Sequence, residues 1–153
     1  MYKGEMNGMA NNYKSILVAV DGSKEADLAF RKSIDVAKRN QGAAITIVNV
    51  IDTRAYVAYD GFNIEKAQKE AQNLTNEYMK LAKAAGLENV DIVIEDGSPK
   101  TMITKDIATK VDADLIICGA TGLNAVERFI MGSVSEAIIR SANCDVLVVR
   151  TPA

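Results

Sequence analysis

The sequence predicts an α/β protein built on an open, doubly wound, five-stranded parallel sheet with helices on both faces. Five short apolar runs rich in β-branched residues recur along the chain, and segments with helical periodicity lie between them. Most runs are apolar at successive positions, as in strands that are covered on both faces. Parallel strands need helical crossovers, and the alternation of strand and helix supplies them.

Length, composition and charge favour one soluble domain. The chain has 153 residues, of which 48% are hydrophobic and 25% charged, with a net charge of −2. Binding to a nucleic acid is not expected, because contacts to its phosphates need a positive excess. Residues 1–12 are predicted to be a mobile tail before a single domain at residues 13–153. The tail contains no apolar stretch long enough for a signal peptide or membrane span, so we expect a cytoplasmic protein.

The predicted strands are the five apolar runs. They begin, in order, at Ser15 (SILVAV), Ala44 (AITIVNV), Asp91 (DIVIE), Asp114 (DLIICG) and Asp145 (DVLVVR). Cys118 lies at the end of the fourth run and Cys144 just before the fifth, with no CxxC spacing. Both are expected to be small core residues of a protein in a reducing compartment.

The first two helices are predicted from caps and from apolar spacing. A helix from about Lys24 to Asn40 follows Ser23 as its N-cap. Its inward residues are expected to be Leu28, Phe30, Ile34 and Ala37. A second, long helix ends before Gly86, which suits the C′ position. Its apolar stripe, spaced three and four residues apart, comprises Ile64, Ala67, Ala71, Leu74, Tyr78, Leu81 and Ala85.

The last two helices are predicted from their N-terminal signals. Ser98 can cap a helix that starts at Pro99, a residue suited to the first turn. Its inward positions are Ile103, Ile107 and Val111. The fourth helix is expected to begin at Ser133, which has the spacing of a capping box with Glu136. Its inward positions are Val134, Ala137 and Ile138.

Polar and glycine residues follow the predicted strands at the sheet edge where ligands bind. Ligands of open α/β sheets lie outside the carboxyl ends of the strands, where strand order reverses. Asp21 follows the first strand, and Gly119 and Gly122 follow the fourth. Glycine lets main-chain N–H groups approach an anion and can take backbone angles closed to other residues. The helix at Gly132 and Ser133 adds free N–H groups, so the sequence predicts a phosphate cradle made largely of backbone.

Each of these residues also has a simpler interpretation. Gly119 and Gly122 can merely turn the chain, and Ser133 can merely cap its helix. The Asp21 carboxylate can bind a ribose hydroxyl or a metal-bound water, but in "DGS" it can equally accept hydrogen bonds from the N–H groups of an ordinary turn. The residues alone leave both interpretations open.

The pattern as a whole resembles the universal stress protein family, in the branch that retains an ATP-binding motif. The resemblance is carried by "ILVAVDGS", by "VNVID" and by the spacing Gly-x2-Gly-x9-Gly-Ser at Gly119, Gly122, Gly132 and Ser133, followed by "VSEAIIRSANCDVLVVR". It covers residues 13–150, nearly the whole chain. The resemblance implies a Rossmann-like fold of the adenine nucleotide alpha hydrolase type and a stress-response protein. The implied ligand is ATP, ADP or AMP, with or without Mg²⁺.

The resemblance also assigns binding roles to ten positions. It implies contacts near the ribose and phosphates at Ala19 and Asp21, and a valine against the adenine at Val50. Asp21 is a candidate for holding Mg²⁺ through a water. The implied nucleotide-lining and phosphate-binding positions are Cys118, Gly119, Gly122, Gly132, Ser133, Val134 and Ser135.

Two departures from the family's pattern bear on function. Many members have His within the first glycine pair, where this chain has Thr121, and the chain contains no His at all. This removes the commonest general base. ATP hydrolysis also needs a metal on the phosphates, a positioned water and usually a cation for the developing charge. Asp21 is a candidate for helping to hold Mg²⁺ and Arg128 or a Lys for the cation, but no spacing assembles a water-positioning group with a cation. The proline found in the first strand of some relatives is Ala19 here.

The leading interpretation is an ATP-binding, nucleotide-dependent switch or partner-binding module in the stress response. A slow Mg²⁺-dependent ATP hydrolase and a structural dimer without nucleotide binding stay open as alternatives. The partner and the kind of stress are not readable from the sequence.

Two further stretches affect function. The segment from Asp52 to Asn63 is long for a loop of a compact α/β domain, and it is interpreted either as a lid over the nucleotide or as aromatic packing on neighbouring helices. The apolar last strand, Asp145 to Arg150, would invite association if its edge were exposed. In the family this strand pairs with its own copy, so the resemblance implies a homodimer.

Overall fold

The strands form one parallel sheet. The computed structural model describes residues 13–56, 61, 63–122 and 131–152. Its five strands lie in the order β3-β2-β1-β4-β5, with every neighbouring pair parallel. They are β1 (Ser15–Ala19), β2 (Ala44–Asp52), β3 (Val90–Gly97), β4 (Leu115–Gly119) and β5 (Asp145–Val149). The predicted doubly wound α/β fold is therefore confirmed, while the predicted tail at residues 1–12 lies outside the described residues.

Helices cover both faces of this sheet. One face packs against α1 (Lys24–Arg39) and α2 (Ile64–Ala84). The other packs against a second group of elements: α3 (Pro99–Thr101), a π-helical turn (Met102–Ile107), α4 (Ala108–Lys110) and α5 (Ser133–Ser141). Successive strand residues point to opposite faces, so Ile16 and Val18 join the first core and Leu17 joins the second. Among the described helices, none is long and apolar enough to span a membrane.

Helix α1 begins as predicted, and of its predicted inward residues Phe30 and Ala37 are buried while Leu28 and Ile34 are only partly buried. Ser23 is its N-cap, and the Ser23 Oγ accepts a hydrogen bond from the Ala26 N–H at 3.2 Å. Phe30 is fully buried in the core between the helix and the sheet. The helix ends at Arg39, next to the predicted limit.

Helix α2 ends as predicted, but part of its buried stripe differs. Gly86 follows the helix with φ +93°, and Leu87 donates its N–H to the Ala82 carbonyl at 3.1 Å, as in a Schellman motif. The expectation that Leu81 is buried is wrong, because it is 37% exposed while Ala82 is buried. The observed stripe is Ala71, Thr75, Tyr78 and Ala82. Its residues recur about every 3.7 positions, close to the period of the helix, so they stay on one face. The predicted stripe recurs about every 3.5 positions, so its later residues turn away from the buried face.

The segment after β3 is not the continuous α-helix that was predicted. It consists of α3, the π-helical turn and α4, with Pro99 in the first position. Ser98 stands at the N-cap position without a side-chain cap, and its Oγ accepts a hydrogen bond from Arg54 Nη2 at 2.8 Å instead. Residues four positions apart lie on one face both in an α-helix and across the wider π-helical turn. The spacing of the apolar residues therefore could not reveal the π-helical turn.

Candidate functional site

A cavity of ≈ 790 Å³ lies at the carboxyl ends of β1, β2 and β4. β1 leads to β2 on one side, while β4 leads to β5 on the other, so the order reverses between β1 and β4 and the cavity occupies the switch point. All ten positions assigned from the resemblance line it: Ala19, Asp21, Val50, Cys118, Gly119, Gly122, Gly132, Ser133, Val134 and Ser135. Their contact with a nucleotide stays a prediction.

The connection from β1 to α1 satisfies its own polar groups. Asp21 Oδ1 accepts the Ser23 N–H at 2.9 Å, and the Ser23 Oγ caps the helix. This is the ordinary turn that was one interpretation of "DGS". The second oxygen, Oδ2, lies 3.1 Å from where a Cβ on Gly122 would stand. Asp21 therefore serves the turn with one oxygen and presents the other toward the glycine side of the cavity.

The connection from β4 to α5 is built differently. The N-cap of α5 is Gly132, which has no side chain to cap the helix, and its N–H is bound to the Ala120 carbonyl at 2.7 Å. The Ser135 hydroxyl lies 2.8 Å from that same carbonyl oxygen. The first intrahelical hydrogen bond runs from the Glu136 N–H to the Gly132 carbonyl. The helix thus leaves the N–H groups of its first three residues, beginning with Ser133, without intrahelical acceptors beside the cavity.

The predicted capping box is wrong. Ser133 is the first helical residue, not the cap, and Glu136 forms an exposed salt bridge with Arg140 at 2.6 Å. The physical reason is tertiary, because the Ala120 carbonyl binds both Gly132 and Ser135 and so sets where the helix begins.

Two of the three glycines of the site lie in close backbone contacts. A Cβ on Gly119 would stand 2.8 Å from the Glu25 carbonyl carbon and 2.9 Å from the Ala26 nitrogen. A Cβ on Gly132 would stand 3.1 Å from the Ala120 oxygen. None of the three site glycines has a positive φ. The special backbone angles that glycine permits are therefore not used at Gly119 or Gly122, whereas the missing Cβ lets the backbone of α1 come close at Gly119.

The charged side chains among the described residues that line the cavity are all acidic. Asp21, Asp52 and Glu70 line the cavity, and among the described lining residues there is no Lys or Arg. An anion here would be held by backbone N–H groups and the helix dipole, not by side-chain cations. Over the described part of the chain, no group of three or more His, Cys, Asp or Glu residues is placed to hold a metal ion.

Part of the lining is apolar and forms what we call the apolar wall. It includes Val50, Ala71, Leu74 and Ile103, and it suits a flat aromatic ring better than a charged group. Cys118 also lines the cavity with 3% exposure, and burial raises the pKa of its thiol to about 11. The thiol stays protonated at neutral pH and forms part of the apolar wall.

Glu25 is a buried charged residue behind the site that the sequence reasoning missed. Its Oε1 accepts from the Thr121 N–H at 2.9 Å and from the Thr121 hydroxyl at 2.6 Å, and its Oε2 accepts from the Thr151 N–H at 2.5 Å. Burial raises the pKa of this carboxyl, but the hydrogen bonds from Thr121 and Thr151 outweigh burial and leave the pKa lowered. One signal was available, because Glu25 lies four residues before Ala29 on the inward stripe of α1.

The two remaining candidates near the site are only partly described. The segment from Asp52 to Asn63 includes a 3₁₀ turn at Thr53–Tyr56. Its remaining residues, apart from Gly61 and Asn63, and the aromatic side chains of the predicted lid lie outside the described residues, as does Arg128.

Comparison with known proteins agrees with the resemblance. Residues 12–150 match the model of the universal stress protein family. A putative universal stress protein of Staphylococcus saprophyticus is 58% identical over 142 residues, which cover 91% of this chain and 84% of the relative. The structure of universal stress protein UspA from Lactobacillus plantarum is 30% identical, with a TM-score of 0.75 over 91% of this chain and 99% of that one.

A further solved structure bears on ligands. The universal stress protein from Archaeoglobus fulgidus in complex with dAMP is 25% identical to this chain, with a TM-score of 0.68. The alignment covers 90% of this chain and 98% of that one.

Proposed function

Because the chain belongs to the universal stress protein family, we propose that it binds an adenine nucleotide, ATP foremost, in the switch-point cavity. It acts as a nucleotide-dependent switch or partner-binding module of the stress response. The observation that carries this proposal is the N-terminus of α5 beside the cavity, where the N-cap Gly132 has no capping side chain and N–H groups of the first turn precede the first intrahelical hydrogen bond.

The two sides of the cavity suit the two ends of a nucleotide. The phosphates bind at Gly132 and the first turn of α5, where backbone donors and the helix dipole favour negative charge. The adenine packs on the apolar wall that includes Val50. The ribose lies between them near Asp21, whose Oδ2 is directed to the glycine side. The related protein from Archaeoglobus fulgidus, in complex with dAMP, supports an adenine nucleotide as the ligand class.

Mg²⁺ would enter with the phosphates. It supplies charge neutralisation to a nucleoside triphosphate. Asp21 would hold it through a water, since the described residues offer no group of three metal-ligating side chains. The acidic lining, which includes Asp52 and Glu70, would be less repulsive toward a metal-bound triphosphate than toward the free anion.

The assembly and location are parts of the same proposal. β5 lies at an edge of the sheet, and its residues after Asp145 are only partly buried. A second copy pairs along this edge, Asp145 to Arg150, and covers its open backbone groups. The protein is a cytoplasmic homodimer with a single domain at residues 13–153.

Isothermal titration calorimetry with ATP and Mg²⁺ tests the proposal, together with chromatography of any nucleotide released on denaturation. Wild type is expected to bind ATP at concentrations found in cells, and no binding with no released nucleotide would contradict the proposal. Ser133→Asp places a carboxylate at the first turn of α5, where it competes with the phosphates and weakens ATP binding about tenfold. Ser141→Asp, at the far end of the same helix, is the matched control and leaves the affinity unchanged.

A further inference from the structure

We propose that Glu25 is a positioning residue that joins the glycine side of the cavity to the chain just beyond β5, so that the two segments move together. Glu25 is 7% exposed and does not line the cavity, whereas Thr121, which it holds, does. It therefore acts on the site from behind, through another residue.

Both oxygens of this carboxylate are in use, and by different segments. Oε1 accepts two hydrogen bonds from Thr121, and Oε2 accepts one from Thr151. An ionised carboxylate offers a strong, charged acceptor on both oxygens, whereas protonation turns one of them into a hydroxyl donor. Hydrogen bonds to a charged acceptor are shorter and about twice as strong as those between neutral groups. The two segments are thus joined through one charged group.

The backbone around Glu25 leaves this joint little freedom. The start of α1 packs so closely on the end of β4 that no Cβ fits on Gly119 between them. The Ala120 N–H donates to the Val149 carbonyl at 2.8 Å, which ties the ends of β4 and β5 together. A displacement of Thr121 therefore moves the Glu25 carboxylate, and the carboxylate transmits the displacement to Thr151.

The joint has a consequence for the proposed dimer edge. Thr151 follows β5 closely, and its N–H is directed to α1 instead of outward along the edge of the sheet. A ligand that repositions Thr121 would shift the end of this edge and so change the affinity of edge pairing. Edge pairing would in turn change the affinity of the cavity for the ligand by the same coupling free energy. That last consequence rests on the proposed nucleotide binding, whereas the joint itself does not.

Residue-resolved hydrogen exchange by NMR tests the joint in the ligand-free, full-length protein. Thr121→Val removes one hydroxyl donor and keeps the size of the side chain. We expect the Thr151 amide to exchange about fivefold faster in this variant. Thr121→Ser keeps the hydroxyl and should leave the Thr151 amide as in wild type. An unchanged Thr151 amide in Thr121→Val would overturn the proposal.

A second amide separates the joint from general loosening of the fold. The Leu87 N–H, bonded to the Ala82 carbonyl beyond the end of α2, should exchange at the wild-type rate in every variant. If it accelerates as much as Thr151, Thr121 stabilises the whole domain and the joint is refuted.

A change at Glu25 itself completes the test. Glu25→Gln keeps one acceptor oxygen and replaces the other with a donor, so the amide of Thr121 or of Thr151 should lose protection about tenfold or more. Glu65→Gln makes the same change in the exposed first turn of α2 and should affect neither amide. Wild-type protection of both amides in Glu25→Gln would also refute the joint. Because no nucleotide is present, these outcomes are independent of whether ATP binds.

Discussion

Two connections flank the switch point of the sheet, and they differ in whether side chains satisfy the free N–H groups at the start of the following helix. Between β1 and α1, Asp21 and Ser23 satisfy backbone N–H groups with their own side chains. Between β4 and α5, Gly132 supplies no side chain, and the hydroxyl of Ser135 is directed to the Ala120 carbonyl. The first connection satisfies backbone N–H groups with its own side chains, while the second leaves N–H donors of α5 without intrahelical acceptors beside a cavity. The difference indicates that the second connection is the one that offers backbone donors to an anion.

The largest expected effect on ATP affinity comes from adding a side chain at Gly132, in the connection between β4 and α5. In Gly132→Val the added Cβ would stand 3.1 Å from the Ala120 oxygen and 3.3 Å from the Thr121 Cα, and the side chain would displace the first turn of α5. We expect ATP affinity to fall more than a hundredfold, or about 2.7 kcal/mol, measured by calorimetry with circular dichroism to check the fold.

A remote glycine provides the control for Gly132→Val. Gly42 has φ +80° and open space around a would-be Cβ, so Gly42→Ala should cost about 1 kcal/mol of stability without altering affinity. ATP binding at wild-type strength in a folded Gly132→Val protein would mean that the start of α5 is not the phosphate site.

The next effect concerns the contact between the two connections. Gly119→Ala sets a Cβ 2.8 Å from the backbone of α1, and we expect it to lower the free energy of unfolding by about 2 to 3 kcal/mol in urea denaturation. Among the described residues, the Cβ of Gly122→Ala meets only the Asp21 side chain, at 3.1 Å, and the change should cost less than about 1 kcal/mol. Equal losses of stability in the two variants would contradict the packing role assigned to Gly119.

A smaller effect is expected from removing the side-chain cap in the connection between β1 and α1. Ser23→Ala removes the cap of α1 and should lower stability by about 1 kcal/mol, measured by thermal unfolding. Its ATP affinity should stay within about twofold of wild type, because the Asp21 hydrogen bond goes to the backbone N–H of residue 23 and survives. A large loss of affinity would show that the first connection also holds the ligand tightly.

The smallest effect is a change in acid sensitivity. The hydrogen bonds to Glu25 hold the pKa of its carboxyl below its ordinary value in the folded protein. Glu25 therefore stabilises the fold fully above the unfolded pKa of about 4.3, and this contribution is lost as pH falls through the lower, folded pKa. Urea denaturation between pH 7 and pH 3 should show wild type and Glu25→Gln converging in stability as the pH falls. A constant difference across that range would contradict this assignment.

The sequence was sufficient where local rules decide the outcome. The five parallel strands and their helical crossovers followed from the apolar runs, and the caps at Ser23 and Gly86 followed from residue type. The residues assigned from the resemblance all line one cavity, since carboxyl ends of parallel strands meet at one edge of the sheet. Local rules failed at Ser133, where the Ala120 carbonyl sets the helix start, and at Leu81, where a small shift of the helical stripe decides burial.

By itself, the sequence determined the fold class, the glycine spacing and the edge of the sheet at which the cavity lies, because apolar periodicity, capping signals and the ends of strands are local properties of a chain. Only the tertiary structure decided which contacts those residues make. It showed that Gly119 is required by the approach of α1, and that Gly132 begins a helix without a side-chain cap. It also brought Glu25 to Thr121 and Thr151, residues that are distant along the chain. The physical reason is that hydrogen-bond partners and close backbone contacts depend on which segments the fold brings together, and no local pattern records this.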